Sequence, residues 1–207
     1  MKIGILVEGR AEYSDLHVII SKNTYNNNKI LKPLFAPMQP KASAMQIARS
    51  AKAGIGILIN QGVDKIIVLI DKEDQDFCII KHAKEIKNAL NNFCNKVSIE
   101  VIIKNKQFEN WLIADINNLQ SIKGFKLSES FISKISKDKA DNQQNPVELL
   151  ESIMTIRRTY DKGIHGKRIV SNIDTLKIAE NSRSFRKFLR ELGHSDYLYQ
   201  SKKPVIK

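Results

Sequence analysis

Two strand-like runs in this 207-residue chain each end on a carboxylate. Residues 2–7 form a short apolar stretch closed by Glu8-Gly9, and Ile66-Ile67-Val68-Leu69-Ile70, the clearest strand pattern in the chain, closes on Asp71. The loop Lys72-Glu73-Asp74-Gln75-Asp76 then adds three more acids. In an open parallel sheet, functional groups gather at the carboxyl ends of the strands. If the two strands are neighbours, Glu8 and Asp71 meet at one mouth, with Glu73, Asp74 and Asp76 on the loop beyond. Like charges held together are costly unless a cation neutralises them. Hard carboxylate oxygens that leave room for water suit Mg²⁺ or Mn²⁺ far better than zinc. Cys78 and Cys94 provide neither a CxxC pair nor a nearby histidine cluster, and are expected as buried thiols on one helix. The competing duty for these acids is capping of helix starts, which applies most to Asp74 and Asp76.

The elements that must position the acids follow from the hydrophobic pattern. Residues 10–21 show helical spacing, and residues 31–38 read as a second strand, interrupted by Pro33 and Pro37 and so near an edge or bent. Helical intervals over 41–59 weaken at Gly54 and Gly56. A helix over 75–93, a strand over 97–103 and a helix over 107–119 complete a β-α-β-α-β-α-β-α order. That alternation predicts an α/β fold, a parallel sheet of about four strands covered on both faces. After residue 121 the texture changes: 128–145 is polar and lysine-rich without a clear period, Pro146 opens a helix, and helical patterns follow over 147–156, 169–178 and 182–192. The expected organisation is a catalytic unit over 1–120 with a helical, basic region over 121–207 packed on it. No window approaches 18 uninterrupted apolar residues, and the N-terminal apolar stretch is too short for a signal peptide, so a cytoplasmic protein with no membrane partner is expected.

The string Ile5-Leu6-Val7-Glu8-Gly9 followed by Glu12 resembles the first strand and turn of the Toprim domain, found in topoisomerases, bacterial primases and OLD-type nucleases. Its Glu-Gly-x-x-Glu form is closest to the OLD-like branch. Val68-Leu69-Ile70-Asp71-Lys72-Glu73 resembles the strand carrying that family's Asp-x-Asp motif, with Glu73 in place of the second Asp. Phe108-Glu109-Asn110-Trp111-Leu112-Ile113-Ala114-Asp115 resembles a Glu-x-Trp-(x)₃-Asp segment of small stand-alone Toprim-like bacterial proteins. The likeness covers about residues 1–120 and implies a Toprim-like, Rossmann-like fold. It implies Glu8 as metal ligand or general base, Asp71 and Glu73 as Mg²⁺ ligands, Glu73 and Asp74 competing for the second acidic role, and Glu12 or Glu109 at a second metal position.

The balance of 34 Lys+Arg against 22 Asp+Glu, a net charge of +12, is the footprint of a polyanion partner. The cations concentrate late in the chain, at Arg157, Arg158, Lys167, Arg168, Arg183, Arg186, Lys187 and Arg190. The last four follow i, i+3, i+4, i+7 spacing, while Phe185, Phe188, Leu189 and Leu192 mark another face. An amphipathic helix docked by its aromatics and showing a cationic stripe reads as a phosphate grip, the alternative being a solvated helix face. Ser182 is its expected cap and Gly193 its stop.

Taken together these features point to a Mg²⁺-dependent nuclease acting on DNA or RNA, in the manner of phage-defence or toxin-like effectors. A homo-oligomer is compatible with the sequence, and any ATP dependence requires a separate ATPase subunit, since the chain has no P-loop. Two other readings stay open: a receiver-like phospho-signalling module, with Asp71 as phosphoacceptor and Lys104 as strand-end lysine, and a non-catalytic nucleic-acid-binding subunit.

Overall fold

The computed structural model describes residues 1–156 and 159–198. Four apolar runs become parallel strands: β1 (Lys2–Val7), β2 (Lys29–Ile30) with β3 (Leu34–Phe35), β4 (Lys65–Asp71) and β5 (Ser98–Lys104). Their order is β2-β1-β4-β5, with β3 also pairing β1. β2 and β3 lie along the same strand, β2 beside Lys2 and Ile3 and β3 beside Leu6 and Val7. The expected bent edge strand is therefore two short pieces parted at Pro33, which has no N–H to give to a ladder.

Alternate strand residues feed two cores. Leu6, Ile66, Val68, Ile70, Val101 and Ile103 pack under α2 (Ala44–Asn60) and α3 (Ile79–Phe93). On the opposite face, Ile3, Ile5, Val7, Ile67, Leu69 and Ile102 pack under α1 (Arg10–Ile20), α4 (Glu109–Ala114) and helices of the C-terminal part. α2 does not weaken at Gly54. That glycine is buried, and a Cβ there would lie 2.7 Å from Leu6 Cδ2, so the missing side chain lets the helix settle on the sheet.

Beyond β5 the chain breaks more often than its periodicity suggests. The helix expected over 107–119 is split at Asp115 into α4 and α5 (Ile116–Ser121). The Asp115 carboxylate, fully buried, accepts from Asn118 N–H at 3.0 Å and Asp174 N–H at 2.7 Å, so it caps α5 and ties it to a later turn. The polar stretch 128–145 contains α6 (Glu129–Ile135) and a 3₁₀ turn, Ala140–Asn142. α7 (Pro146–Ile153) opens on its proline, and the helix expected over 169–178 is two helices, α8 (Lys167–Ser171) and α9 (Thr175–Asn181). α10 (Arg183–Leu192) is capped by Ser182, which accepts from Phe185 N–H at 3.1 Å, and stops at Gly193, φ +91°. Trp111 lies between Phe185 (ring centroids 4.9 Å) and Phe188 (5.4 Å) and donates to Ser184 Oγ at 2.7 Å, which welds α10 to α4. Among the described residues no helix is long and apolar enough to cross a membrane.

Candidate active site at the carboxyl end of the sheet

Parallel register brings three strand ends together. Val7 pairs with Leu69 and Asp71 with Lys104, so Glu8, Asp71 and Lys104 share one mouth. Glu8 Oε1 accepts a hydrogen bond from the Asp71 backbone N–H, while its Oε2 is buried with no hydrogen-bond partner among the described residues. The next turn starts α1, where Gly9 N–H donates to Glu12 Oε2 at 3.1 Å, the N3 half of a capping box whose other half glycine has no side chain to make. The other Glu12 oxygen meets the Lys104 ammonium, which also lies 2.8 Å from Asp71 Oδ1. Lys104 is fully buried, its ammonium 5.9 Å from the centre of the Phe108 ring and 5.8 Å from that of Trp111. Glu109 opens α4 with its side chain buried. Its Oε1 faces the Lys162 ammonium at 2.9 Å, from the single-turn π-helix Lys162–Gly166, and its Oε2 has no hydrogen-bond partner among the described residues.

Burial dominates the titration of this cluster. It raises the Glu8 carboxyl from its ordinary 4.5 to about 7, against the opposing pull of Lys104. Burial, then the negative charges of Glu8 and Glu109, hold Asp71 well above the usual carboxylate range. Lys104 is pushed down to about 8 by burial, although Glu8 and Glu109 favour its charged form. Tyr160 is raised by burial and by Glu109 and Asp15, and its hydroxyl has no hydrogen-bond partner among the described residues. Several acids crowded around few cations repel one another and favour their protonated forms.

Of the acids expected at the site, Glu8, Glu12, Asp71 and Glu109 converge on Lys104 and Lys162. Glu73 stands at the rim with a left-handed backbone, φ +51°, and its nearest cation is Lys41 at 3.8 Å; its charge still raises Glu8 and Asp71. Asp74 and Asp76 are exposed, Asp74 lying 3.7 Å from Lys106, and neither joins the cluster. Among the described residues no group of three or more His, Cys, Asp or Glu side chains is set to hold a metal ion as it stands. The physical reason is Lys104, whose ammonium lies between Glu12 and Asp71. The sequence signal for that lysine was its place at the end of β5; nothing in the spacing marked Lys162 or Tyr160 as neighbours of Glu109.

A groove of about 1130 Å³ lies beside this mouth. Its floor is β5, the sheet edge, and its walls are α3 and α10. Arg183, Arg186, Lys187 and Arg190 all line it, but they differ in kind. Arg183 is exposed, whereas Arg186 is buried and donates to Asp138 at 2.5 Å and to the Ala179 carbonyl at 2.6 Å, so it braces the fold. Lys187 donates to the Val101 carbonyl at 3.1 Å, and Arg190 bonds Glu191 at 2.7 Å. Lys167 and Arg168 are exposed on α8 and do not line the groove. Arg157 and Arg158 lie outside the described residues. Cys78 and Cys94 cap the two ends of α3; Cys94 is buried but Cys78 is exposed on the groove wall, because it precedes the helix's first packed turn.

Neither the curated proteins nor the solved structures contain a match to this chain. Residues 7–193, from the end of β1 to the stop of α10, match the domain of unknown function DUF4276, a span that includes every acid of the cluster and both walls of the groove. The chain belongs to the DUF4276 family.

Proposed function

We propose that this protein is a Mg²⁺- or Mn²⁺-dependent phosphodiesterase that cuts nucleic acid at the carboxyl end of its sheet. The observation that carries the reading is the cluster of half-buried Glu8 and Asp71 with buried Glu12 and Glu109. Glu8 Oε2 and Glu109 Oε2 have no hydrogen-bond partner among the described residues, burial raises Glu8, and burial with the charges of Glu8 and Glu109 raises Asp71. An all-oxygen donor set with spare lone pairs suits a hard divalent cation. Glu8 and Asp71 would hold the ion, with Glu109 available for a second. When bound, Mg²⁺ supplies Lewis acidity to a phosphoryl oxygen and offsets the charge of the acids. The resemblance of the Glu8, Asp71 and Glu109 segments to Toprim nucleases supports the same reading, as does the net charge of +12.

The chain's own groups then have definable roles. Glu8 would serve as a ligand of the ion or, where Asp71 and Glu109 hold it instead, as the base that takes a proton from an attacking water. Lys104, fully buried, holds Asp71 and Glu12 in place from beneath. The exposed cations Lys167, Arg168 and Arg183 draw the polyanion to the surface. A role in phage defence, and a separate ATPase subunit, belong to the same proposal.

The test is cleavage of labelled single- and double-stranded DNA, ribosomal RNA and tRNA with Mg²⁺ or Mn²⁺. Cutting that stops in EDTA and in Glu8→Ala and Asp71→Ala is expected. Cutting that persists in both variants would place the chemistry elsewhere. One observation favours a second reading: the 2.8 Å pair of Lys104 and Asp71 is also what a receiver-like phosphoacceptor site needs. That reading requires a labile phosphate on Asp71 after treatment with a small phosphodonor, which the nuclease reading does not.

A further inference from the structure

We propose that the groove between α3 and α10 is the path of a single strand of nucleic acid running to the acid cluster, a substrate assignment that rests on the phosphodiesterase reading. The groove lies next to the cluster in the chain: Lys72 and Asn105, which line it, directly follow Asp71 and Lys104. Seven of its lining residues are cationic and three are acidic. Each of the three acids is already engaged. Glu100 pairs with Lys87 at 2.6 Å, Asp138 with Arg186 at 2.5 Å, and Asp141 accepts from Ser182, Ser184 Oγ and Ser184 N–H at 2.7–2.9 Å. The unspent charge on the walls is positive, chiefly at Lys84 and Arg183, both exposed on facing helices.

Apart from Asn105, Asn142 and Ser184, the rest of the lining is apolar or carries the Cys78 thiol. Ile80 is 80% exposed, and Phe77 is half-buried, packed against a tilted His82 ring with centroids 4.3 Å apart and with the Lys72 ammonium 5.8 Å from its centre. A duplex turns phosphates outward and hides its base faces, so this apolar surface would meet nothing. A single strand presents both, and aromatic surface edged by cations is the surface that binds it. An acidic peptide added to the sheet edge would need the free backbone of β5. There the Val101 carbonyl is taken by Lys187, and the neighbouring Glu100 side chain is tied to Lys87. The groove thus favours the nucleic acid over the peptide.

The experiment is equilibrium binding in EDTA, where nothing is cut, using a fluorescent oligothymidylate of about 12 nucleotides, its duplex, and polyglutamate. The single strand is expected to bind about tenfold tighter than the duplex, and the double variant Lys84→Glu/Arg183→Glu to weaken it about tenfold or more. Lys29→Glu, at the opposite sheet edge, is expected to change it much less. The bound strand should also slow alkylation of Cys78, the exposed thiol of the groove, while buried Cys94 reports on folding. Equal binding of duplex, equal loss in Lys29→Glu, full competition by polyglutamate, or Cys78 unprotected would each overturn the assignment. Binding as expected without metal-dependent cutting would instead count against the chemistry alone.

Discussion

At the scale of single residues, the site is a contest between one buried ammonium and four carboxylates. Burial outweighs the opposing pull of Lys104, and Glu8 therefore holds its proton up to about pH 7 rather than its ordinary 4.5. The folded protein binds more protons than the unfolded chain between those values, so raising the pH costs stability. In EDTA, urea denaturation of the wild type should show stability fully present below about pH 4.5 and declining up to about pH 7; Glu8→Gln should flatten that decline. A wild type indifferent to pH over this window would mean that Glu8 is charged in the fold. Lys104→Met should cost about 3–5 kcal/mol in EDTA, because removing one partner leaves buried charge uncompensated. Millimolar Mg²⁺ should restore part of that loss in a thermal melt; a variant as stable as wild type without metal would show that the acids do not depend on the ammonium.

Elements hold these residues in place, and here the sequence was readable to different depths. The ends of β1 and β4 were legible because a buried parallel strand is a continuous apolar run that an acid terminates. The pairing of Asp71 with Lys104 was not, since it depends on a register between strands separated by a whole helix. The periodicity of α10 correctly separated an aromatic from a cationic face. It did not reveal that Arg186 would be buried by Asp138, because amphipathicity says nothing of a second neighbour. Gly54 and Gly56 looked alike in sequence but differ in surroundings: Gly54 abuts Leu6, while a Cβ at Gly56 meets nothing within 4 Å. Gly56→Ala should therefore stabilise by about 0.5–1 kcal/mol, whereas Gly54→Val should destabilise. Chemical denaturation of the two variants compares them directly; equal effects would refute the tight seat of α2 on the sheet.

On the scale of the whole molecule, one hydrophobic core runs from Ile3 and Ile5 through Trp111 to Phe185 and Phe188. The C-terminal helices thus form a layer of the sheet's cover, and α10 brings its cations to the edge strand beside the acid mouth. Composition raised the expectation of a polyanion partner, but only the packing of α10 against β5 shows which cations face a groove and which brace the fold. Under the proposed function the positive walls and the negative mouth would divide the labour, one attracting phosphate and the other taking a cation to tolerate it. The most direct measurement is a calorimetric titration of Mn²⁺ into wild type, Glu8→Gln and Asp71→Asn at neutral pH, with circular dichroism to verify folding. The account predicts saturable Mn²⁺ uptake with release of protons by the wild type, and its loss in both variants. Folded wild type that takes up no Mn²⁺, or variants that bind it as well, would contradict the claim that these acids form a metal centre.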